Sequence, residues 1–363
     1  MKICLIGKNL TNFVLAMVLV NKKLTLDIIY KSDDKKINSS RTLGIAKDNF
    51  NFLSKNCKSL NISTWPIKKI KIYGEDKNHH ELFEFHNKNK ENFFLIKYSE
   101  IYNYLQKYLF HKKNIKFIKL KKNISDNYFL KQKKYNLIIN SDSKSKITKK
   151  YFSKKIEKNY NSMSYTTIIN HKKIINNVAV QIFTRFGPLA FLPFSNTKTS
   201  VVFSIFNKKI NDKNQIKELI KKYNFKYEIK NMGDFEKYNL KFSILRNYYY
   251  NNILSFGDLL HKIHPLAGQG FNMTIRDIKI LSNVIDEKLN LGLEFDNSIL
   301  EEFEKKTKHR NYIFASAVDF IYEFFKFDNN IKNIISKPAF QFIRKNKILN
   351  KYATYFANVG IDF

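Results

Sequence analysis

Residues 2–30 restrict the architecture of this chain more than any other stretch. Lys2–Ile6 is a short apolar run that stops at Gly7, as a buried strand does on meeting a tight turn. Asn12–Val20 is apolar almost all round, which suits a helix covered on several sides. Leu24–Tyr30 then reads as a second strand. Strand, turn, helix and strand at this spacing make the βαβ unit on which dinucleotide-binding domains are built. Cys4, inside the first strand, reads as a small core hydrophobe.

Further along, the pattern changes. Ile67–Tyr73 and Glu81–His86 are short strand candidates around the turn-like Gly74–Asn78, and Ser99–Phe110 carries aromatics at helical spacing. Tyr135–Ile139 is another apolar strand, ending in a polar loop. Trp65-Pro66 reads as packing at a domain boundary or as a border of the active site. From Ser164 to Tyr249 strands predominate, at Thr166–Asn170, Asn177–Phe183, Leu189–Phe194, Thr199–Phe206 and Lys241–Tyr249. A charged helix near Asp212–Tyr223 interrupts them. This run predicts an antiparallel sheet, and beyond Arg276 the pattern is helical to the end.

Composition narrows the class. The 363 residues suit about two domains, and 44 % hydrophobic content is ample for packed cores. Two cysteines, Cys4 and Cys57, exclude a disulfide scaffold or a cysteine-based zinc cluster. No apolar run approaches the roughly 20 residues of a transmembrane helix. The N-terminus opens on a strand and not on a signal peptide, so a cytoplasmic location is expected. Lys and Arg number 65 against 31 Asp and Glu, a net charge of +34. Such a field attracts anionic surfaces and is screened by salt. The basic blocks (Lys68–Lys71, Lys121-Lys122, Lys144–Lys155) are scattered and mixed with Asn and Ile, as compositional bias would leave them, and no specific nucleic acid is expected.

The most informative stretch is Ser255–Asp277. Asn252–Phe256 reads as a strand leading into Gly257-Asp258, where an acid is placed for the hydroxyls of a ribityl or ribose chain. The loop is extended at Pro265, and Gly268-Gln269-Gly270 lets the backbone approach a ligand closely. A helix follows from Phe271–Asn272. Free N–H groups and the macrodipole at such a helix start favour negative charge. The plain alternative is an ordinary strand–loop–helix connection. His261 and His264 stand three apart with no third ligand at a suitable spacing, so no metal is expected; packing and hydrogen bonding within the loop is the reading.

Gly257-Asp258, His261, His264-Pro265, Ala267-Gly268-Gln269-Gly270, Asn272 and Arg276-Asp277 together resemble the second flavin motif of FAD-dependent aromatic-ring hydroxylases. The run from His264 to Asn272 is similar in particular to the ubiquinone-biosynthesis monooxygenases. Ser40–Ala46 resembles the family's arginine-containing segment, with Arg41 helping to hold the cofactor. Gly187–Pro193 and Ser200–Phe203 resemble its substrate-domain strands, and Glu301–Arg310 with Ala315 the helix after the flavin motif. The resemblance implies the para-hydroxybenzoate hydroxylase fold: α/β, with a Rossmann-like FAD-binding domain (1–65, 95–160 and 250–330), interleaved with an antiparallel-sheet substrate domain (66–94 and 161–249). Residues 331–363 would form a helical C-terminal segment. Implied cofactor-binding residues are Gly7, Asn9, Arg41, Asp142, Asp258, Pro265, Gly268, Gln269, Gly270, Phe271 and Asn272. Leu189, Phe191, Pro193 and Leu266 are expected to line the substrate pocket.

The resemblance further implies FAD reduced by NADH or NADPH, with one atom of dioxygen delivered to the ring of a polyprenyl phenol during ubiquinone synthesis. No catalytic side chain beyond the flavin is needed, because the cofactor carries the chemistry. The implied partners are that substrate, other subunits of a quinone-synthesis assembly and an anionic membrane surface, with a peripheral position on the inner membrane. The basic, aromatic stretch Pro338–Val359 is the membrane candidate. Alternatives left open are a small soluble phenol as substrate and a flavin-poor, non-catalytic subunit. The departures lie at the nucleotide end. Gly7-Lys8-Asn9-Leu10-Thr11-Asn12 keeps only the first glycine of the family's G-x-G-x-x-G, although Asn9 can take the left-handed conformation. Asn12 puts a side chain where close approach is needed. Lys31, beside Ser32 and Asp33, stands where a ribose-binding acid is expected, and the family's Asp-Gly reads Asp142-Ser143.

Overall fold

The computed structural model describes residues 1–31, 40–57, 62–75, 81–86, 91–120, 134–206, 210, 212–330, 335, 338–339 and 346. Ser32, Asp33, Lys121, Lys122 and nearly all of Pro338–Val359 lie outside the described residues. The helices used below are α1 (Leu10–Leu19), α2 (Lys47–Asn56), α3 (Tyr98–Phe110), α4 (Lys146–Tyr151), α5 (Lys213–Tyr223), α6 (Gln269–Asn290) and α7 (Ser298–Asn330).

The opening βαβ unit forms as its pattern requires. Lys2–Ile6 and Thr25–Tyr30 pair in parallel, with α1 as the crossover. All of α1 except Thr11 is buried, which is why its residues are apolar on every side. Phe13 packs on Tyr102 of α3, ring centroids 4.9 Å apart, and each such fully buried side chain contributes about 1.5–3 kcal/mol. The six-stranded sheet has the order Tyr249–Tyr250, Ile253–Ser255, Leu137–Asn140, Lys2–Ile6, Thr25–Tyr30, Ile115–Lys119. From Lys2–Ile6 the chain first builds to one side and later returns to the other. That reversal makes the seam between Lys2–Ile6 and Leu137–Asn140 a topological switch point, where a crevice opens beyond the carboxyl ends of the strands.

A nine-stranded sheet forms the second layer. Its longest strand, Lys155–His171, pairs antiparallel with both Lys198–Ile205 and Glu236–Leu245. The strand begins well before the expected Thr166, because Glu157–Asn159 pairs with Lys241–Ser243 despite its solvent-facing polar side chains. The sheet is mixed: Val178–Thr184 runs parallel to Lys69–Gly74, two strands from distant parts of the chain. Ile67–Tyr73 is not one strand, since the Lys68 N–H leaves the run to donate to the Asn177 carbonyl at 2.9 Å. Thr64–Ile67 instead joins Thr42–Ala46 and Phe93–Lys97 in a three-stranded antiparallel sheet. Trp65 packs, with Ile70, Leu192 and Phe194, against a buried cluster of Ala46, Ile67, Phe93, Leu95 and Ala179 drawn from this sheet and the larger one. Its indole N–H donates to the Asn176 carbonyl at 2.6 Å.

The last two described helices cover the seam between layers. α6 packs on α1 and α7, and α7 reaches the large sheet, where Phe325 stacks on Phe183. No helix among the described residues is long and apolar enough to cross a membrane.

Candidate functional site

Three loops meet at the carboxyl ends of the central strands. Gly7 turns the chain after the first strand at φ +112°. A Cβ on it would lie 3.2 Å from Ser141 Oγ and 3.4 Å from the Asp142 Cβ. Phe256, at the end of the next strand, donates its N–H to the Asn140 carbonyl at 2.9 Å. Gly257 follows at φ +64°, with Thr11 of α1 packed against it so closely that a Cβ would sit 2.7 Å from the Thr11 methyl. The sequence-derived Gly7, Asp142 and Asp258 are therefore neighbours along one edge. Asp258, in the 3₁₀ turn Gly257–Leu259, is exposed and makes no hydrogen bond or ion pair among the described residues. Asp142 is spent on its own loop, its carboxylate accepting the Lys144 N–H at 2.9 Å.

The glycine-rich loop delivers a helix N-terminus to the same region. The 3₁₀ turn Leu266–Gly268 runs into α6, which starts at Gln269, two residues before the expected position. Gly268 is the N-cap and adopts φ +66°, so the helix opens on a left-handed residue with no side chain capping it. A Cβ at Gly268 would sit 3.4 Å from the Gly44 nitrogen, a close backbone approach that glycine permits. Asn272 braces this geometry. Its amide donates to the Gly44 carbonyl (2.8 Å) and the Gly268 carbonyl (3.3 Å), while its Oδ1 accepts from the Ala46 N–H and Asn49 Nδ2, both at 2.9 Å. The Asn272 side chain is thus wholly engaged by protein. Arg41, just before the Gly44 strand, is exposed and stacks on the Tyr98 ring at 4.6 Å, with no carboxylate partner among the described residues.

The nucleotide end is closed differently from expectation. Asn9 is not left-handed: its φ is −144°, because Gly7 already supplies the positive φ that the turn needs. Asn9 is instead the N-cap of α1. Its Oδ1 accepts the Asn12 N–H at 3.1 Å and its Nδ2 donates to Ser141 Oγ at 2.8 Å. Asn12 is fully buried and donates its amide to the carbonyls of Ile6 (3.0 Å) and Gly7 (2.7 Å). Its Oδ1 has no partner. At the end of the second strand Lys8 lies over the Tyr30 ring, 5.2 Å from its centroid. The strand's own acid, Asp27, is buried further back against Lys2 Nζ and the Tyr135 hydroxyl, both at 2.7 Å.

Behind the glycine-rich loop lies a buried polar chain that the sequence showed only in part. His261 Nε2 is 2.7 Å from Asp277 Oδ2, and Asn311 of α7 donates to Asp277 Oδ1 at 3.0 Å. His264 stacks on Tyr322 and meets Tyr160 edge-on, with neither ring nitrogen partnered. Burial alone pushes its imidazole down to about 3. The two histidines pack and pair within the loop region, and no metal-binding cluster occurs among the described residues. Asn311 and Ser141 were missed because neither stands in a motif; only the fold brings them to the site.

The expected pocket residues are split between faces. Leu189 and Phe191 lie in the cluster beneath α5, with Ile216 and Ile220. Leu266 belongs to another cluster, with Met273 and Tyr322. Gly187–Pro193 alternates like any strand, so Ala190 and Leu192 take the opposite face. That face meets the Arg41 segment: Leu192 is in register with Ser200, whose Oγ accepts the Thr42 hydroxyl at 3.0 Å. Leu189 and Phe191 are core of the other face, and Pro193 is buried at the strand's end.

No family model matches the chain. In fold it is similar, over 99 % of its length and 98 % of the other's, to p-nitrophenol 4-monooxygenase PnpA from Pseudomonas putida, with a TM-score of 0.77 and 9 % identity. It is also similar to Klebsiella pneumoniae HpxO, solved with FAD and uric acid, at a TM-score of 0.71 and 10 % identity over 99 % and 97 % of the two chains. The architecture is that of the FAD-dependent monooxygenases. In sequence, the chain is similar to ubiquinone-biosynthesis hydroxylases. It is 32 % identical over 80 residues to the ubiquinone biosynthesis monooxygenase COQ6 of Dictyostelium discoideum, which covers 22 % of this chain and 16 % of the relative. It is 33 % identical over 89 residues to the 3-demethoxyubiquinol 3-hydroxylase of Escherichia coli, 24 % and 21 % of the two lengths. The chain thus matches less than a quarter of the length of either relative.

Proposed function

We propose that the protein is a flavin-dependent monooxygenase that hydroxylates the aromatic ring of a polyprenyl phenol in ubiquinone biosynthesis. One observation carries the flavin reading: an uncapped helix N-terminus, a left-handed Gly268 under it and the unpartnered Asp258 converge on the switch-point edge of a parallel sheet. Those residues fit the ring and ribityl end of FAD. Bound there, FAD would supply the electron-transfer and dioxygen chemistry, with NADH or NADPH giving two electrons, one oxygen atom entering the ring and the other leaving as water. The protein's share is positional. Asp258 would accept protons of ribityl hydroxyls in charge-assisted hydrogen bonds. The first-turn N–H groups of α6 would stabilise negative charge on the ring system, as a fixed dipole does without reorganising. Arg41, lacking an acidic partner, is available to a phosphate.

In this reading residues 1–65, 95–160 and 250–330 serve the cofactor and 66–94 with 161–249 the substrate. The Ala190–Leu192 face and Leu266 border the substrate's approach. The polyprenyl tail and the net charge of +34 favour contact with an anionic membrane surface, and other quinone-synthesis subunits are partners on the same reading. The decisive experiment deletes the gene and identifies the quinone intermediate that accumulates; an unhydroxylated polyprenyl phenol is expected, and unchanged ubiquinone overturns the proposal. A second reading, a flavin-poor subunit, is favoured by the Asn9–Ser141 closure alone. Purified protein that is colourless and leaves added FAD unbound would establish it.

A further inference from the structure

We infer that this protein gathers its cofactor affinity from the flavin half alone, so that FMN and FAD bind about equally well. The inference rests on the flavin reading above and concerns what the adenylate half can gain. In a Rossmann-type loop the glycines leave helix N–H groups open and let the pyrophosphate come close. Here both later glycine positions carry asparagines: the side chain of Asn9 takes one of those N–H groups, that of Asn12, and the side chain of Asn12 fills the space beside the strand.

The Asn9 side chain spans the switch-point crevice, joining the α1 N-terminus to the loop after Leu137–Asn140. Its Oδ1 takes the Asn12 N–H (3.1 Å), and its Nδ2 reaches both Ser141 Oγ (2.8 Å) and the Ser141 carbonyl (3.3 Å). Nδ2 occupies the space above Gly7, 2.9 Å from where a Cβ would lie. Asn12 fills the gap between helix and strand with both amide hydrogens committed. What it leaves over is Oδ1, a buried acceptor without a partner. A phosphate oxygen is itself an acceptor and gains nothing from it. To seat a pyrophosphate, the ligand must break the Asn9 bonds and replace them, an exchange with little net gain. Asp27, the acid within the second strand, is buried against Lys2 and Tyr135 and is not available to an adenosine ribose. The flavin end is the reverse: the Asp258 carboxylate and the Arg41 guanidinium have no hydrogen-bonded or ionic partner among the described residues, and no side chain caps α6.

The test is a titration of the apoprotein with FMN and with FAD at one salt concentration, followed by flavin fluorescence. The wild type should bind the two within about threefold. Asn9→Gly opens the α1 N-terminus and should tighten FAD at least tenfold relative to FMN. Ser141→Ala, which removes the shorter of the two bonds that hold Asn9 Nδ2, should move the ratio the same way by a smaller factor and serves if Asn9→Gly does not fold. Wild-type protein binding FAD a hundredfold more tightly than FMN overturns the inference and leaves the flavin reading intact. Failure to bind either flavin overturns both.

Discussion

Asp258 holds its carboxyl group in solvent, three residues past a strand whose every residue is buried. A carboxylate with no partner contributes little to folding, so its removal should leave stability unchanged while weakening the ligand. A hydrogen bond to a charged group contributes about 1.5–3 kcal/mol. Asp258→Asn should therefore lower flavin affinity by roughly 10- to 150-fold, read by fluorescence titration, with an unaltered melting temperature. His264 presents the opposite case, a polar ring that supports the fold only while neutral. Its native value is pushed down to about 3, against an ordinary 6.5 in the unfolded chain. Its support is complete above pH 6.5 and declines as pH falls towards 3, by up to about 1.4 kcal/mol per pH unit. His264→Phe keeps the stack on Tyr322 and should lose about 2 kcal/mol less than wild type between pH 6.5 and 5 in urea unfolding. Asp258 and the histidines were legible from the run Ser255–Asp277 because their spacing is specific. The conformation of Asn9 was not, since a residue that tolerates the left-handed region need not occupy it when the glycine two places earlier does.

Among the elements, the α6 N-terminus depends on Asn272 for its place beside Thr42–Ala46. Asn272→Ala would strand the Ala46 N–H and the Gly44 carbonyl, and would leave Asn49 Nδ2 only its 3.3 Å bond to the backbone carbonyl of residue 272. At about 1–3 kcal/mol for an unsatisfied buried group, a clear fall in melting temperature is expected. The same variant should also bind flavin more weakly, because the helix start would drift. Asn272 stands out in the motif, whereas the four protein partners of its side chain cannot be seen in one dimension. The faces of Gly187–Pro193 were illegible for another reason. Nearly every residue of that strand is buried, and a strand apolar on both sides shows no alternation to say which side meets a ligand. By contrast, the opening strand–helix–strand was legible because its first apolar run stops at Gly7 and the next is apolar at helical length.

At the scale of the molecule, the net charge of +34 makes any attraction to anionic lipid a matter of salt. Co-sedimentation with vesicles containing acidic phospholipid should be strong at low ionic strength and lost near 0.5 M salt, where the screening length is about 4 Å. Binding that survives there would mean insertion of apolar groups and not charge alone. The order of the sheets was readable from where helical and strand-like patterns alternate; the pairing of Val178–Thr184 with Lys69–Gly74 was not, because parallel partners far apart in the chain leave no local mark. Lys155–His171 has a mechanical consequence. Tyr160 on that strand belongs to the cluster under α7, and Tyr165 and Ile169 to the one under α5. A single backbone thus runs through two hydrophobic interiors like a rod through two beads, and neither can melt while the other stays solid: heating should give one calorimetric peak.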